Sequence, residues 1–430
     1  MHRLITRLSC ASVTLLSACG QSNSNPGPAP EPIVTARYDG TTPNGLMLSR
    51  DGYLYGTTFT GGDFGYGTVF RVSPDGVETV LHSFGRGSDD GANPKGLIQA
   101  SDGDFYGTTT NGGISNCVRV TIQLAGPPGK YTDSSGCGVL YRINARGEVT
   151  ILHYFAGGAD GQHPIPTLVE VDNGVFYGAT DTGGIVNGLC GTDGCGVTFR
   201  ITTAGVKSTV HSFDASNGDG SHPIGLTFGT DGILYGTTLV GGAQNQGTVF
   251  SLSPGGIYTI LHSFGGQGSG DAGYPYGSLV EGRDGNFYGA SRYGGIGRLD
   301  LCESGCGTLY RITPAGAETV VYVFTETTNG ALPEGTLIAA SDGNLYGLTS
   351  YGGAGWGVIF KSTLTGVESV VHQFGQPPPN VFDSPVPSGL VRSLSGNLYG
   401  IAAGGDFAEG VVYKLDQQGE LTILHSFRGR

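Results

Sequence analysis

The sequence predicts an all-β protein, a seven-bladed β-propeller with four antiparallel strands per blade, on three observations. First, the stretch Ser341–Thr349, SDGNLYGLT, has six further copies: its tyrosine is Tyr346, and the others are Tyr55, Tyr106, Tyr177, Tyr235, Tyr288 and Tyr399. Second, each copy sits in a series of short β-branched or aromatic runs of period two, cut by glycine-rich turns, with no helical period. Third, the units are about fifty residues long and too small to bury a face alone, so neighbours must stack. Tyrosine spacings of 51, 71, 58, 53, 58 and 53 place the length variation in loops. A β-solenoid, the other repeat architecture, uses shorter rungs and lacks such Asp-Gly hairpins.

The chain opens with an export signal over residues 1–18. Arg3 and Arg7 form a basic start, and Leu8–Leu16 is an apolar run too short to span a bilayer as a helix. It ends in Leu16-Ser17-Ala18-Cys19, which resembles the lipobox of bacterial lipoproteins. That resemblance implies cleavage before Cys19, lipid on its thiol, and an outer-membrane or cell-surface lipoprotein, with Gly20 in place of an inner-membrane retention signal. An ordinary secretory signal cut nearby is the alternative. Residues 19–32 are rich in Pro, Ser and Asn and read as a flexible tether. The propeller then occupies 33–430.

One unit, from Gly96 to Phe155, shows how the strands fall. Gly96–Ala100 is strand a, Ser101-Asp102-Gly103 a turn, and Phe105–Thr109 strand b, followed by Gly112-Gly113. Gly138–Ile143 is strand c, and after Asn144–Gly147 the run Val149–Phe155 is strand d. Asp-Gly between two such runs signals a hairpin with a type I′ turn. At the ring's closure both Ile33–Tyr38 and Glu420–Phe427 resemble a strand d; the C-terminal one is expected to complete blade seven.

Composition narrows the partners. Of 430 residues 80 are glycine, only 13% are charged, and the net charge is −13. An acidic, charge-poor surface offers no basic patch for nucleic acid or anionic lipid. Contact with a membrane is then through the lipid anchor only, and the chain is expected to be a monomer.

Six cysteines remain in the mature domain as three local pairs, each in an enlarged b–c loop. Cys137, Cys195 and Cys306 each precede the glycine that opens strand c. This shared register predicts the disulfides Cys117–Cys137, Cys190–Cys195 and Cys302–Cys306, in keeping with export. Zinc is the rival reading of the short spacings, but no adjacent histidine pair accompanies them.

The a–b and c–d turns are short, so one face of the disc is plain. The longer b–c and d–a connections share the opposite face, where loops on a rigid scaffold carry function. The repeated tyrosines, and His82, His153, His211, His262, His372 and His425 of strand d, read as framework: equivalent positions on different blades cannot converge on one metal. What varies is more telling. The d–a connections end Asp90-Gly-Ala-Asn93-Pro, Asp160-Gly-Gln-His163-Pro, Asp219-Gly-Ser-His222-Pro and Asp271-Ala-Gly-Tyr274-Pro. His163, His222 and Tyr274 are therefore candidate acid–base groups, as in polysaccharide β-elimination, with Arg86 and Lys95 to hold a carboxylate. The bland alternative is a loop slot open to any polar residue. Asp90, Asn93, Asp160, Asp219, Tyr276 and Trp356 are candidate binding residues. Calcium at Asp89, Asp90, Asp160, Asp219 and Asp271 is conceivable on ligand type, but these are spread over blades and lack dense spacing, so no metal or cofactor is expected.

These units resemble the GloVer tandem repeat of Gloeobacter and Verrucomicrobia. The likeness rests on Asp90–Ile98, Asp231–Thr238, Gly241-Gly242, Gly247–Phe250 and Leu261–Phe264, and recurs over about 33–427. Tyr322 for histidine, Ser395-Gly396 for Asp-Gly and Ala402-Ala403 before Gly404 depart from the pattern. The resemblance implies an exported propeller and supplies no catalytic residues. No Ser-His-Asp elbow, P-loop, dinucleotide fingerprint or HExxH motif occurs. Three readings follow: a surface lipoprotein binding a glycan or envelope protein through its looped face, a secreted polysaccharide lyase or hydrolase, and a purely structural envelope protein. The first is preferred, and the chain leans away from being an enzyme.

Overall fold

Short runs of β-branched and aromatic residues, each closed by glycine, give strands throughout the chain. The computed structural model describes residues 38–87, 89–113, 117, 136–266, 270–295, 302, 304–325, 328–375 and 387–429. The export signal, Cys19, the tether and Ile33 lie outside them. Seven antiparallel sheets follow in chain order, and together they form a seven-bladed propeller. Blade one comprises Gly40–Leu48, Leu54–Gly61, Thr68–Val72 and Glu78–Ser83 as strands a to d. Blade two comprises Gly91–Gln99, Phe105–Gly112, Val139–Ile143 and Val149–Tyr154. Blades three to seven span 162–212, 220–263, 272–323, 331–373 and 387–426. Strands a of neighbouring blades meet around the central channel, except that strand a of blade five is split into Ala272–Pro275 and Val280–Glu281. Leu421–Ser426 completes blade seven, as expected.

The core lies between blades. One cluster joins Tyr55, Val69, Leu81 and Phe84 of blade one to Phe105, Val139, Tyr141 and Ile143 of blade two. The phenylalanine that ends each strand d meets an aromatic ring of strand c in the next blade, edge to face. The series runs Phe84–Tyr141, Phe155–Phe199, Phe213–Phe250, Phe264–Tyr310, Phe324–Phe360 and Phe374–Tyr413, and Phe427–Phe70 closes the ring at 5.0 Å. Each such pair adds about 0.5–1.5 kcal/mol beyond its buried area. The glycine after the repeated tyrosine makes room for that ring: a Cβ on Gly236 would lie 2.2 Å from Phe250.

The Asp-Gly turns differ from the type I′ expectation. Gly103 has φ 93°, while Asp102 is not among the residues of positive φ, and the Gly103 amide donates to the Ala100 carbonyl. This is a type I turn with glycine at the left-handed position. Asp102 avoids positive φ while its carboxylate is engaged, accepting the Asp104 amide at 3.0 Å and the Tyr106 hydroxyl at 2.7 Å. The same clamp links Asp51 to Tyr55, Asp231 to Tyr235, Asp284 to Tyr288 and Asp342 to Tyr346. The repeated tyrosine is thus held by the turn preceding its strand.

Strand a also begins earlier than expected. Gly91-Ala-Asn-Pro belongs to the strand, and a bulge after the proline restores the pairing with strand b. Proline is tolerated because strand a is the inner edge of its sheet, so the missing N–H breaks no ladder bond.

Candidate functional site at the looped face

The residue before each strand-a proline has one conformation in six blades. Thr42, Asn93, His163, His222, Tyr274 and Leu332 all have φ between 53° and 58°. In each case the amide crosses to the preceding blade and donates to the carbonyl just before the strand-c glycine. The acceptors are Glu409, Tyr66, Cys137, Cys195, Gln246 and Cys306, at 2.7–2.9 Å. The following proline then packs on that glycine; a Cβ on Gly196 would lie 2.7 Å from Pro223. The three disulfides Cys117–Cys137, Cys190–Cys195 and Cys302–Cys306 form as predicted, each with a Cα–Cα distance of 5.1 Å. Three of the six acceptor carbonyls therefore belong to disulfide-clipped cysteines. The slot that varies in side chain is uniform in backbone.

That conformation aims the side chains differently from loop residues. His163 is 7% exposed, and its Nδ1 lies 2.9 Å from Thr182 Oγ1. His222 is 9% exposed, with Nδ1 3.0 Å from Asp181 Oδ1. Burial pulls the His222 imidazole down, but the hydrogen bond and charge of Asp181 outweigh it and raise the pKa above its ordinary value. For Asp181, burial pushes the carboxyl up, and His222, then Lys95 and His163, bring it below the usual carboxylate range. Lys95, His163 and His222, from blades two, three and four, therefore all bear on the Asp181 carboxylate where strands a and b reach the looped face. Tyr274 stands apart from this group, its ring edge-on to Tyr293 with centroids 5.7 Å apart. Asn93 bridges blades, donating to the Phe59 carbonyl at 2.8 Å and accepting from Asn111 at 3.0 Å.

A second charged group flanks Tyr276. Arg292 forms an ion pair with Glu334 at 3.1 Å, and its guanidinium lies 5.3 Å from the centre of the Tyr276 ring. Tyr276 is 36% exposed beside this pair. Trp356 is half-buried against the cluster that includes Tyr346, Phe374 and Leu390. Exposed apolar side chains occur in the b–c loops, among them Phe64, Ile185, Val186, Leu189 and Phe407, and also in the short turns of the other face, at Val77, Val206, Ile257, Val367 and Leu394. No helix among the described residues is long and apolar enough to cross a membrane.

Asp90, Asp160 and Asp219 sit elsewhere, between blades. Histidine Nε2 lies near the aspartate at His82–Asp90 (3.5 Å), His153–Asp160 (2.9 Å), His211–Asp219 (2.9 Å), His262–Asp271 (3.1 Å) and His425–Asp39 (3.3 Å). The connection after His372 lies partly outside the described residues. Each aspartate also accepts backbone amides; Asp90, for example, takes those of Gly85, Arg86 and Gly91. Their carboxylates hold the start of strand a.

Sequence reasoning missed Asp181, Arg292 and Glu334. The signal was present: the residue after the repeated Tyr-Gly-x-x run is Phe59, Thr110, Asp181, Leu239, Arg292, Ser350 or Ala403, and only two of the seven are charged.

Fold and site define a repeat propeller with a uniform frame and one face on which the blades differ in chemistry. The chain belongs to the Gloeobacter/Verrucomicrobia repeat family, whose model matches residues 33–121, 129–299 and 299–430. No curated protein matches the sequence. Among solved structures it is similar to a Bacteroides uniformis protein provisionally assigned as a 6-phosphogluconolactonase, at 16% identity and TM-score 0.53, covering 87% of this chain and 94% of that one. It is also similar to the extracellular domain of a provisionally assigned hybrid two-component system from B. thetaiotaomicron, at 12% identity and TM-score 0.50. That match covers 84% of this chain and 38% of the other. Likeness at these identities shows the fold alone. Three disulfides fit an extracellular protein, since such bonds persist in oxidising compartments.

Proposed function

We propose that this protein is a surface-anchored propeller lipoprotein, tethered through Cys19, that binds a glycan or an envelope protein at its looped face. One observation carries the reading: His222 and the half-exposed Asp181, from neighbouring blades, pair at 3.0 Å there, with the charges of Lys95 and His163 bearing on the same carboxylate. The repeat provides no structural reason for this set, because other blades place Thr42, Asn93 or Leu332 in the same backbone slot. The partly exposed Tyr276 beside the Arg292–Glu334 pair supports the same surface, since an accessible aromatic beside fixed charges suits both sugars and proteins.

The reading is tested with the mature chain carrying Cys19→Ser, applied to a glycan array and to purified envelope components. Binding is expected, falling at least tenfold in Asp181→Ala and Lys95→Ala. Affinity unchanged in both variants, or no binding at all, overturns it. Incubation with acidic polysaccharides, followed by absorbance of unsaturated ends, tests the lyase alternative built on His163, His222 and Tyr274. Tyr274 packs edge-on to Tyr293, while His163 and His222 are engaged by Thr182 and Asp181, so binding is preferred.

A further inference from the structure

The junctions between blades carry a second kind of chemistry. At five of them, among the described residues, the strand-d histidine and its aspartate, or the Tyr and Asn that replace them, face the first residue of strand d in the next blade. Where that residue is Lys207, its ammonium lies 2.7 Å from Asp160 Oδ1. Where it is Tyr258, the hydroxyl donates to Asp219 Oδ1. Where it is Glu368, the histidine and aspartate are replaced by Tyr322 and Asn329, and both donate to Glu368 Oε2, at 3.2 and 2.9 Å. At each of these three junctions a cation or neutral donors answer the carboxylate.

Two junctions break that rule by keeping His and Asp and adding Glu: His425–Asp39–Glu78 and His262–Asp271–Glu318. In each, one ligand atom from every residue lies within 4.8 Å of the other two. Oε1 of Glu78 and of Glu318 is shut off from solvent with no hydrogen-bond partner in the structure. Two carboxylates thus meet where Lys207 places a positive charge in an equivalent junction.

We propose that these two junctions each bind a divalent cation of the zinc class, through histidine Nε2, an aspartate oxygen and a glutamate oxygen. The donor set of one imidazole and two carboxylates suits such an ion and disfavours calcium, which takes oxygen ligands. The His–Asp edges of 3.1 and 3.3 Å fit a tetrahedron with metal–ligand bonds of about 2.0–2.1 Å, and the glutamate closes by rotation of its side chain. The imidazoles are already oriented, edge-on to Phe264 and Phe427. Asp39 and Asp271 are each further held by a backbone amide, from Arg428 and Gly265. Such ions pin strand d of one blade to the next, at blades four and five and at the ring's closure.

The test is equilibrium dialysis of the chelator-stripped mature protein against Zn²⁺, with metal counted by mass spectrometry. Two ions per chain are expected, one in Glu78→Gln or Glu318→Gln, and none in the double variant. The glutamine variants keep shape, and circular dichroism checks their fold. A constructive variant extends the test: Tyr322→His with Asn329→Asp recreates the ligand set beside Glu368 and is expected to bind a third ion. Zinc uptake below one ion per chain, or two ions retained in the double glutamine variant, overturns the proposal and assigns the carboxylate pairs to protons alone. So does a count that stays at two in the constructive variant.

Discussion

Tyr322 Oη and Asn329 Nδ2 lie 3.2 Å apart, in the place where five other blades set a histidine beside an aspartate. The two exchanges occur together and opposite Glu368, so one neutral pair replaces one charged pair as a unit. Asn329→Asp alone removes a donor to Glu368 and adds a second carboxylate. Urea denaturation in chelator is expected to show a loss of about 1–3 kcal/mol, the cost of unanswered polar groups. Adding Tyr322→His is expected to recover part of it, giving a clear coupling in the double-mutant cycle.

Lys207 is a buried cation, its side chain 4% exposed, held between Asp160 and the rings of Phe155 and Phe199. Lys207→Met removes the ion pair while keeping the packing. A loss of about 2–3 kcal/mol is expected, below the cost of stripping a fully buried partner, because Asp160 keeps His153. Burial pushes the Asp160 carboxyl up, but His153 and Lys207 hold it well below the usual range. Its contribution is therefore present above pH 3.8 and is lost as pH falls toward the lowered folded value. Acid melts are expected to show the variant losing stability at a higher pH than the parent.

His222 titrates in the opposite sense. Its folded pKa lies above its unfolded value near 6.5, so the stabilisation is full below 6.5 and is lost as pH rises through the folded pKa. Melting temperature followed from pH 6 to 9 is expected to fall more steeply for the parent than for His222→Gln. Asp181→Asn is expected to flatten the same slope. Equal slopes in all three proteins would falsify the ion pair as its source.

Thr42 holds a left-handed backbone on an exposed, β-branched residue, with φ 55°. Such residues resist that region at about 1–2 kcal/mol. Thr42→Asn keeps the amide bond to the Glu409 carbonyl and relieves the conformation, so a gain of about 1 kcal/mol in urea melts is expected. Thr42→Val is expected to give no gain.

The frame was legible because the chain states it seven times. The tyrosine copies gave the number of blades, and the cysteines' register before the strand-c glycine gave all three disulfides. Turn chemistry was less legible. Asp-Gly alone does not distinguish a type I′ turn from a type I turn with left-handed glycine; the Tyr106 hydroxyl on Asp102 decides it. The candidate site was half legible. His163 and His222 were noticed as the variable residues before proline, but their link through Asp181 depends on a neighbouring blade. Asp90, Asp160 and Asp219 looked like loop residues open to a ligand, and each faces a strand-d histidine instead.

By itself the sequence determined the architecture: period-two runs too small to stand alone must stack, and seven of them close a ring. It also determined which positions are framework, since a residue repeated in every blade answers a need of every blade. Only the tertiary structure decided which side chains meet across blades. Asp181 reaches His222, Arg292 reaches Glu334, and Glu318 reaches His262 and Asp271, in each case over tens of residues of chain. The physical reason is that a propeller buries its core between units. The contacts that set charge and chemistry therefore lie between copies of the repeat, where its internal pattern carries no record of them.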